Sequence, residues 1–346
     1  MRDAIIAPEM DPSPPRIRTV LDARPDASES YLGTTLLLAH SWAAHAAASP
    51  LEVVVIGPAP SALLGQLREL GAQVTHSQPH PLDPVSRNSN KLLGLKESGA
   101  SPVLLVDNDV CFLGDVSDLT GRNVRAAAEF KTRISEEQWR HIEAVLGLEP
   151  LAIEWISPSE ALAAKWAARE PEPTQQLYLN GGVVWIREPV SFEATWAAHV
   201  SSIAGSFDDH PLFTHWVRGS DQVGLATAAA EHGGFDLLPL AYNCRPICLR
   251  LGVDQPKILH LTRLGATGLS PFSAAVTAYW EDRVLARIRR ESRRSPLPDA
   301  QAERERLIDG AVGIRDRVLR LGADAGLDAF EFEARDASRR VHRPVG

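Results

Sequence analysis

Strand-like and helix-like segments alternate along the chain from Arg16 onward, and this alternation limits the possible folds more than any other feature. β-Branched runs such as LEVVVIG (51–57) are typical of strands buried on both faces. Between such runs lie segments with helical spacing, among them YLGTTLLLAHSWAAHAAAS (31–49) and SALLGQLRELGA (61–72). A βαβα order predicts an α/β fold, in which a mostly parallel sheet is flanked by helices on both faces.

The same patterns predict the remaining organisation of the chain. Further strands are predicted at IRTVLDA, QVTHS, VLLVDND, GGVVWI and KILHL, and further helices over 88–99, 136–148 and 222–232. Beyond Thr277, two arginine-rich segments with helical spacing are expected to pack on the domain or on a partner, for instance in a homodimer. A solvated helix face would explain their charge equally well. We therefore divide the chain into a mobile leader (1–15), an α/β domain (16–276) and a helical C-terminal extension with a flexible tail (277–346).

Composition and charge exclude several classes of protein. A formal net charge of −8 and a pI near 5.8 argue against a general nucleic-acid binder. The three cysteines, Cys111, Cys244 and Cys248, are too few for a disulfide framework and lack the second Cys/His pair of a zinc site. The N-terminus lacks the apolar core of a signal peptide, and no apolar run is long enough to span a bilayer. We therefore expect a cytoplasmic protein without a membrane span.

Two carboxylates, Asp107 and Asp109, directly follow the apolar run VLLV. Ligands of parallel α/β sheets bind beyond the carboxyl ends of the strands, where this pair is expected to lie. Both side chains could reach one Mg²⁺ or Mn²⁺ ion, to which a diphosphate would add further oxygens. A surface turn in which Asp109 or Asp115 caps the next element would explain the same residues. The D-x-D pattern alone is too short to decide between these interpretations.

The segment LLVDNDVCFLGDVSDL (104–119) resembles the D-x-D segment of the GT-A nucleotide-sugar glycosyltransferases. The resemblance is strongest to the retaining family 8, which includes glycogenin and lipopolysaccharide galactosyltransferases. Further segments resemble that family in the same order, namely YLNGGVVWI, GSDQVGLATA, LPLAYNCRP and KILHL. The resemblance covers about residues 16–264 and implies that residues 16–276 form a GT-A catalytic domain. It also implies metal-dependent transfer of a hexose from a nucleotide sugar, habitually a UDP-sugar, to an unidentified acceptor with retention.

Site residues follow from this resemblance position by position. Asp107, Asp109 and His260 would bind Mn²⁺ or Mg²⁺, and Asp221 and Gln222 would be catalytic residues beside the anomeric carbon. The substrate-binding residues would be Tyr31, Lys91, Asn180, Gly181, Gly182 and Arg263. Each position also has a structural explanation: a hydrogen-bonded histidine at a strand end, a helix N-cap at Ser220 or Asp221, a tight turn at the glycines, or a buried tyrosine.

Two basic residues bear on the diphosphate. Lys91 precedes Asp107 by sixteen residues, where the family keeps a basic residue near the donor sugar-phosphate. Only five of the 36 basic residues are lysines, so composition does not explain a lysine there. The family's "G..KPW" loop, whose lysine binds the diphosphate, is missing from HLTRLGATGLSPF (260–272), where Arg263 is the nearest replacement.

Two other functions fit part of the sequence. Haloacid-dehalogenase-type phosphatases carry a strand ending in DxDxT/V, to which residues 107–110 conform, and Asp208 and Asp209 could form their late acidic motif. That family's nucleophile usually lies near the start of the chain, whereas about a hundred residues precede this one. The phosphatase interpretation also leaves the LNGGVVWI, SDQ and ILHL segments unexplained. The third interpretation is a nucleotide-sugar-binding protein without turnover, because the lysine loop is missing.

Overall fold

The fold is given by a computed structural model. It describes residues 13–27, 30–96, 98–99, 101–121, 123–130, 134–149, 155–173, 178–207, 221–262, 264 and 271–328. The strands are β1 (Arg16–Asp22), β2 (Leu51–Ile56), β3 (Gln73–Ser77), β4 (Val103–Val106), β5 (Val110–Phe112), β6 (Val124–Ala128), β7 (Leu179–Ile186), β8 (Phe235–Leu237) and β9 (Ile258–His260).

The helices surround these strands. They are α1 (Ser30–His45), α2 (Ser61–Glu69), α3 (Glu136–Leu146), α4 (Pro158–Ala167), α5 (Pro189–Ser206), α6 (Asp221–Glu231), α7 (Pro246–Leu251), α8 (Phe272–Trp280), α9 (Ala286–Ser292) and α10 (Ala300–Asp324). Two 3₁₀ helices span Arg87–Gly94 and Leu240–Asn243, and a π-helical turn, Glu281–Leu285, joins α8 to α9. No helix in the described part of the chain is both long and apolar enough to cross a bilayer.

The main sheet has seven strands in the order β3-β2-β1-β4-β7-β6-β8. Strands β1 to β4 are parallel, β7 is antiparallel to both β4 and β6, and β8 is parallel to β6. Strands β5 and β9 form a separate antiparallel pair. The predicted mixed, mostly parallel α/β sheet flanked by helices is therefore confirmed, and β4 lies at its centre.

Two hydrophobic clusters cover the two faces of the sheet, and β4 contributes to both. Leu104 and Val106 belong to the cluster that includes α1, α2 and α10. Val103 and Leu105 belong to the cluster that includes α3, α5 and α6. Successive side chains of a strand point to opposite faces, so a strand covered on both sides has to be apolar throughout. This explains the uninterrupted VLLV run that ends at the two aspartates.

The structure differs from the predicted elements in several places. Strand β5 and helices α4, α5 and α7 were not predicted. The helix predicted over 88–99 is a 3₁₀ helix ending at Gly94. Strands β6 and β8 were not predicted, because β6 reads VRAAA and alanine has a low strand propensity, and because β8 has only three residues. Tertiary pairing with β7 forms β6 despite this sequence.

The arginine-rich helices share the core of the α/β domain. Leu307, Ile314 and Val318 of α10 belong to the same hydrophobic cluster as α1 and β2. The indole Nε1 of Trp280 donates to the carbonyl oxygen of Ala311 at 2.9 Å. The boundary predicted after residue 276 falls within α8, so the division into domains stays a prediction.

Candidate functional site

Backbone pairing brings Asp107 and Asp109 next to His260. The backbone N–H of Asp107, directly after β4, donates to the carbonyl oxygen of Gly182 at 2.9 Å. The chain then enters β5, which pairs with β9 so that Val110 lies opposite His260. These pairings place residues distant in sequence at the carboxyl end of β4.

The side chains of Asp107, Asp109 and His260 form one cluster. His260 Nε2 lies 3.3 Å from Asp109 Oδ1 and 3.9 Å from Asp107 Oδ2. One ligand atom from each residue lies within 4.8 Å of the other two. Two carboxylates and one imidazole suit a divalent cation such as Mn²⁺ or Mg²⁺, and Mn²⁺ accepts the nitrogen ligand more readily. The structure thus brings together the three residues that the sequence analysis named as metal ligands, while the ion and their role as its ligands stay predictions.

A chain of hydrogen bonds orients the His260 ring. Gly182 N–H donates to Asn180 Oδ1 at 3.0 Å, which identifies that atom as the amide oxygen. The same oxygen accepts from Asn243 Nδ2 at 2.8 Å, so Asn243 presents its own oxygen to His260 Nδ1 at 3.0 Å. His260 therefore carries a proton on Nδ1, and its Nε2 atom faces the two aspartates. Metal-binding histidines are commonly oriented by such a partner.

The hydrogen-bond chain continues to a buried ion pair. Asn180 Nδ2 donates to Glu129 Oε2 at 2.8 Å, and Glu129 pairs with Arg245, which is 1 % exposed. Arg245 also donates to the carbonyl oxygen of Ala128 at 2.8 Å and stacks on the ring of Phe130. Burial alone would raise the pKa of Glu129, but Arg245 and Asn180 lower it below its usual range. Glu129 is thus held as a carboxylate that accepts from Asn180.

The two glycines of the predicted sugar pocket lie inside β7, which rules out the tight-turn interpretation. A Cβ atom at Gly182 would lie 2.0 Å from Cε1 of His260, and a Cβ atom at Gly181 would lie 3.1 Å from Lys91 Nζ. A side chain at position 182 would therefore displace the imidazole. Glycine at this position allows His260 to pack against the backbone of β7.

Lys91 connects the aspartate cluster to α6. Its Nζ atom lies 2.9 Å from Asp107 Oδ1 and 2.9 Å from Asp221 Oδ2, and it donates to the carbonyl oxygen of Gly181 at 3.2 Å. Burial alone would lower the pKa of Lys91, but the attraction of Asp107 and Asp221 raises it well above its usual range. Lys91 is therefore a permanently charged ammonium group within the site.

The two aspartates of the cluster have different environments. Burial and the neighbouring charge of Asp109 raise the pKa of Asp107, against the attraction of Lys91. Burial would also raise the pKa of Asp109, but the contact with His260 lowers it. A buried carboxylate pair of like charge beside a histidine favours binding of a cation.

Helix α6 begins at Asp221 and is fixed to α5. The indole Nε1 of Trp196 donates to the carbonyl oxygen of Asp221 at 2.8 Å. A Cβ atom at Gly224 would lie 2.5 Å from a methyl group of Val200 and 3.0 Å from the Trp196 ring, so this glycine allows close packing of the two helices. Asp221 and Gln222 are thereby held beside Lys91. Ser220, the alternative N-cap, lies outside the described residues.

Two cavities meet at the aspartates. The smaller, of about 250 Å³, is lined by Val20, Asp22, Tyr31, Arg87, Asn88, Asn90, Lys91, Val106, Asp107, Asn108, Asp109, Asp221 and Gln222. The larger, of about 540 Å³, is lined by Asp107, Asp109, Glu129, Phe130, Ser159, Asn180, Gln222, Arg245, Pro246, Ile247, Arg250, His260, Thr262, Tyr279, Arg283 and Arg287. Tyr31 is 40 % exposed at the rim of the smaller cavity, which contradicts the interpretation as a buried tyrosine. A third cavity, of about 660 Å³, includes Pro15 and Pro102 and therefore lies at the opposite, amino end of β1 and β4.

Comparison with known proteins identifies the family. Residues 28–233 match the Rhodobacterales glycosyltransferase domain. The chain belongs to this glycosyltransferase family. The match includes both aspartates, Lys91, Asn180 and Asp221 and ends before His260. Glycosyl transfer, predicted from the sequence, is thus confirmed at the level of the family. No curated protein matches this glycosyltransferase at a significant level.

Several solved glycosyltransferases are similar to this one in structure. Mouse xyloside xylosyltransferase 1, in its apo form, is 15 % identical with a TM-score of 0.41, and the alignment covers 71 % of this chain and 96 % of that chain. GlyE of Streptococcus pneumoniae TIGR4 is 14 % identical with a TM-score of 0.42, covering 91 % of this chain and 64 % of that chain. A second structure of GlyE, the apo form, is also 14 % identical to this chain with a TM-score of 0.42. That alignment covers 71 % of this chain and 54 % of that chain. This glycosyltransferase therefore spans less than two thirds of the GlyE chains.

An ion-pair network that the sequence did not reveal supports the 3₁₀ helix carrying Lys91. Arg24 bonds to Asp22 at 2.7 Å and to Asp83 at 2.6 Å, and Arg87 bonds to Asp22 at 2.7 Å. Asn90, next to Lys91, donates to Asp83 at 2.6 Å. Burial would raise the pKa of Asp22, but Arg24 and Arg87 lower it to about 2. The network keeps the wall of the smaller cavity ionised and in place.

Three further predicted positions cannot be compared with the structure of the glycosyltransferase. Arg263, the proposed replacement for the loop lysine, lies outside the described residues, as do Asp208 and Asp209 of the phosphatase interpretation. Glu129 and Arg245 line the larger cavity but were missed. Glu129 directly follows β6, and a search of predicted strand ends could not have found it because that strand was not predicted.

Proposed function

We propose that this glycosyltransferase moves a hexose from a nucleotide sugar, of which a UDP-sugar is the simplest candidate, to an acceptor hydroxyl. Transfer would depend on Mn²⁺ or Mg²⁺ bound by Asp107, Asp109 and His260, as in the retaining GT-A enzymes of family 8. The observation that carries the proposal is the convergence of these three side chains at the carboxyl end of β4. Lys91, on the other side of Asp107, supplies a further positive charge.

The cation and its ligands would serve the leaving group. When bound, the cation supplies Lewis-acid neutralisation of the charge that develops on the departing diphosphate. Asp107 and Asp109 offer oxygen ligands, and His260 offers Nε2 because Asn243 holds the proton on Nδ1. Arg263, in place of the family's loop lysine, is the candidate for a further contact with the diphosphate.

The two cavities support separate binding positions for the nucleotide and for the transferred sugar. The smaller cavity, with Tyr31 at its rim, suits the nucleotide, because an aromatic ring there could stack on the base. Gln222 and the two aspartates line both cavities, so the anomeric carbon would lie between them. Asn180, Gly181 and Gly182 of β7 would bound the pocket of the transferred sugar, where the glycines permit close approach of the backbone.

For the proposed retaining reaction, the side chains favour attack from the leaving-group face over a covalent intermediate. Asp221 is held by the Lys91 ammonium at 2.9 Å and is therefore a poor nucleophile, and the amide of Gln222 is neutral. The bond from the anomeric carbon to the diphosphate would break while the bond to the acceptor oxygen forms. The proton of the acceptor hydroxyl would pass to the departing phosphate oxygen. Gln222 would stabilise the positive charge at the anomeric carbon, and Asp221 would position a sugar hydroxyl.

A thermal-shift panel tests this proposal. Purified full chain would be heated with UDP-glucose, UDP-galactose, UDP-xylose, GDP-mannose or no ligand, each with Mn²⁺ or with EDTA. We expect at least one UDP-sugar to raise Tm by several degrees with Mn²⁺ and little with EDTA, since a ligand that binds only the folded state stabilises it. If no nucleotide sugar shifts Tm in the presence of Mn²⁺, the proposal is wrong. Binding of UDP-sugar without release of UDP on long incubation with acceptors would instead favour the non-catalytic alternative.

A further inference from the structure

We propose that the acceptor carries an anionic group, a phosphate or a carboxylate, and that this group binds Arg283 and Arg287, which line the larger cavity. The inference rests on the proposed function, because it assigns the acceptor of the same site. It also gives the C-terminal helices a role in substrate selection, since both arginines lie beyond residue 276.

The lining of the larger cavity contains two chemically different groups of side chains. Asp107, Asp109 and His260 line it at the cation site. Four arginines also line it. Arg245 and Arg250 belong to the segment around α7, Arg283 belongs to the π-helical turn, and Arg287 belongs to α9. A molecule that fills the cavity would therefore contact both the proposed cation site and guanidinium groups.

Two of these arginines already have acidic partners. Arg245 pairs with Glu129 and Arg250 pairs with Glu291, and the two arginines are 1 % and 7 % exposed. Buried arginines require such partners, because an unpaired buried charge is costly. The charges of Arg245 and Arg250 are thus largely balanced within the protein.

The charges of Arg283 and Arg287 are not balanced in this way. Arg283 lies 3.2 Å from Asp282, whose side chain is 74 % exposed. Exposed ion pairs of this kind contribute little to stability. Arg287 makes no ion pair with any residue of the described ranges. Both side chains are only partly exposed, so water solvates them incompletely. An anion between them would gain charge-assisted hydrogen bonds from two guanidinium groups.

The surroundings of Arg250 show the excess of positive charge. Its Nε atom is buried and makes no hydrogen bond within the described structure. Burial lowers the pKa of Arg250, and repulsion by Arg287 and Arg290 acts in the same direction. An anion bound at Arg287 would relieve this repulsion.

The remaining lining suits a sugar-like or similar hydroxylated body. Phe130, Ile247 and Tyr279 add apolar and aromatic surface to the lining of the same cavity. The volume of about 540 Å³ is within the usual range of small-molecule sites. The reactive hydroxyl of the acceptor would lie near Gln222 and the aspartates, with its anionic group at Arg283 and Arg287.

The donor's own diphosphate is a second possible source of the anion, and the experiment separates the two. Full chain saturated with UDP and Mn²⁺ would be titrated calorimetrically with glucose 6-phosphate, with glucuronate and with neutral glucose. The variants are the double substitution Arg283→Gln/Arg287→Gln and the control Arg289→Gln, which removes a charge from the same helix outside the cavity. The Kd of UDP with Mn²⁺ and the Tm are measured for every variant.

We expect the wild type to bind at least one of the anionic probes about tenfold or more tightly than glucose, as charge-assisted hydrogen bonds predict. The double variant should lose this difference while keeping the Kd for UDP within about twofold and an unchanged Tm, and Arg289→Gln should behave as the wild type. The inference is overturned if the wild type binds neither anion more tightly than glucose. It is also overturned if the double variant keeps the preference for the anion. Loss of UDP affinity in the double variant would assign the arginines to the donor diphosphate and also overturn it. Failure of UDP to bind the wild type at all would contradict the UDP-sugar donor of the proposed function rather than the assignment of the acceptor.

Discussion

At the scale of single residues, the orientation of His260 depends on side chains that would not touch the cation. Asn243 accepts from His260 Nδ1 and donates to Asn180, which in turn donates to Glu129. Groups that orient metal-binding histidines affect metal affinity strongly when they are replaced. Arg245 completes this series by fixing Glu129.

Replacement of Asn243 by alanine is therefore expected to weaken binding of Mn²⁺ by about 10- to 100-fold. The imidazole would lose the acceptor that keeps its proton on Nδ1 and would be free to rotate. Free Mn²⁺ can be measured by electron paramagnetic resonance during titration in the presence of UDP. Asn123→Ala, which removes an exposed asparagine bonded to the carbonyl oxygen of Gly233, is the matched control. Equal Mn²⁺ affinity in Asn243→Ala and the control would show that the ring is oriented by something else.

The site residues differ in how far the sequence could predict them. Asp107 and Asp109 are adjacent to a strongly apolar strand, and His260 ends another, so local pattern and family resemblance were enough. Glu129 and Arg245 act through a buried contact between segments 116 residues apart. No local pattern marks such a pair, because its partners are defined only by the folded chain.

At the scale of secondary-structure elements, one acidic residue of α10 connects three helices. Glu303 lies 2.7 Å from Lys165 of α4 and also bonds to Arg306. Lys165 donates to the carbonyl oxygen of Leu251 in α7 at 3.3 Å. Contacts with Arg306 and Lys165 lower the pKa of Glu303 to about 2 from an ordinary value of 4.5, although burial opposes this. The contact joins the C-terminal extension to the wall of the larger cavity.

Because the folded-state pKa of Glu303 is lowered, its contribution to stability is full above about pH 5 and declines as the pH falls from there toward 2. Glu303→Gln is expected to reduce the free energy of unfolding by about 1–2 kcal/mol at pH 7, after allowance for solvent screening. At pH 3 the substitution should reduce the free energy of unfolding by about half of the pH 7 value or less. Urea denaturation of both proteins at several pH values measures the difference. Glu305→Gln, on an exposed part of the same helix, is the control, and a difference independent of pH would contradict the ion-pair explanation.

Some of the elements that the sequence did not predict correctly are formed mainly by tertiary contacts. The VRAAA strand pairs with β7 on one side and β8 on the other, and the resulting burial compensates for a sequence with low strand propensity. The segment around Lys91 is held as a 3₁₀ helix by the ion-pair network of Arg24 and Asp83. Long apolar segments such as β2 and β7 were predicted correctly, because their burial is encoded in their own residues.

At the scale of the whole molecule, the C-terminal helices complete the hydrophobic core. Phe272 and Val276 of α8 and Ile314 and Val318 of α10 are all buried in the cluster that contains α1. A Cβ atom at Gly322 would lie 2.0 Å from the ring of Phe272, so α8 and α10 pack closely. The extension is thus part of the structural unit that carries the site.

A chain truncated after residue 276 is therefore expected not to fold. Removal of α10 would expose the apolar surface of α1 and α8, and the lost burial is large compared with the usual stability of a domain. The measurement is the thermal unfolding transition of the truncated and full chains by circular dichroism. A chain ending at residue 328, after the last described residue, is the control and should unfold cooperatively at nearly the full-length Tm. Cooperative unfolding of the chain ending at 276 would instead support the predicted boundary between the α/β domain and the C-terminal extension.

The central claim is that transfer depends on a cation bound by Asp107, Asp109 and His260. The most direct test is the Mn²⁺-dependent release of UDP from the best UDP-sugar of the thermal-shift panel, measured for the wild type and for Asp109→Ala. Asp115→Ala, which removes an exposed carboxylate bonded to Ser117, serves as the control. We predict that the wild type and Asp115→Ala release UDP only with Mn²⁺, and that folded Asp109→Ala releases none above the EDTA background. Full turnover by Asp109→Ala at the same Mn²⁺ concentration would contradict the claim.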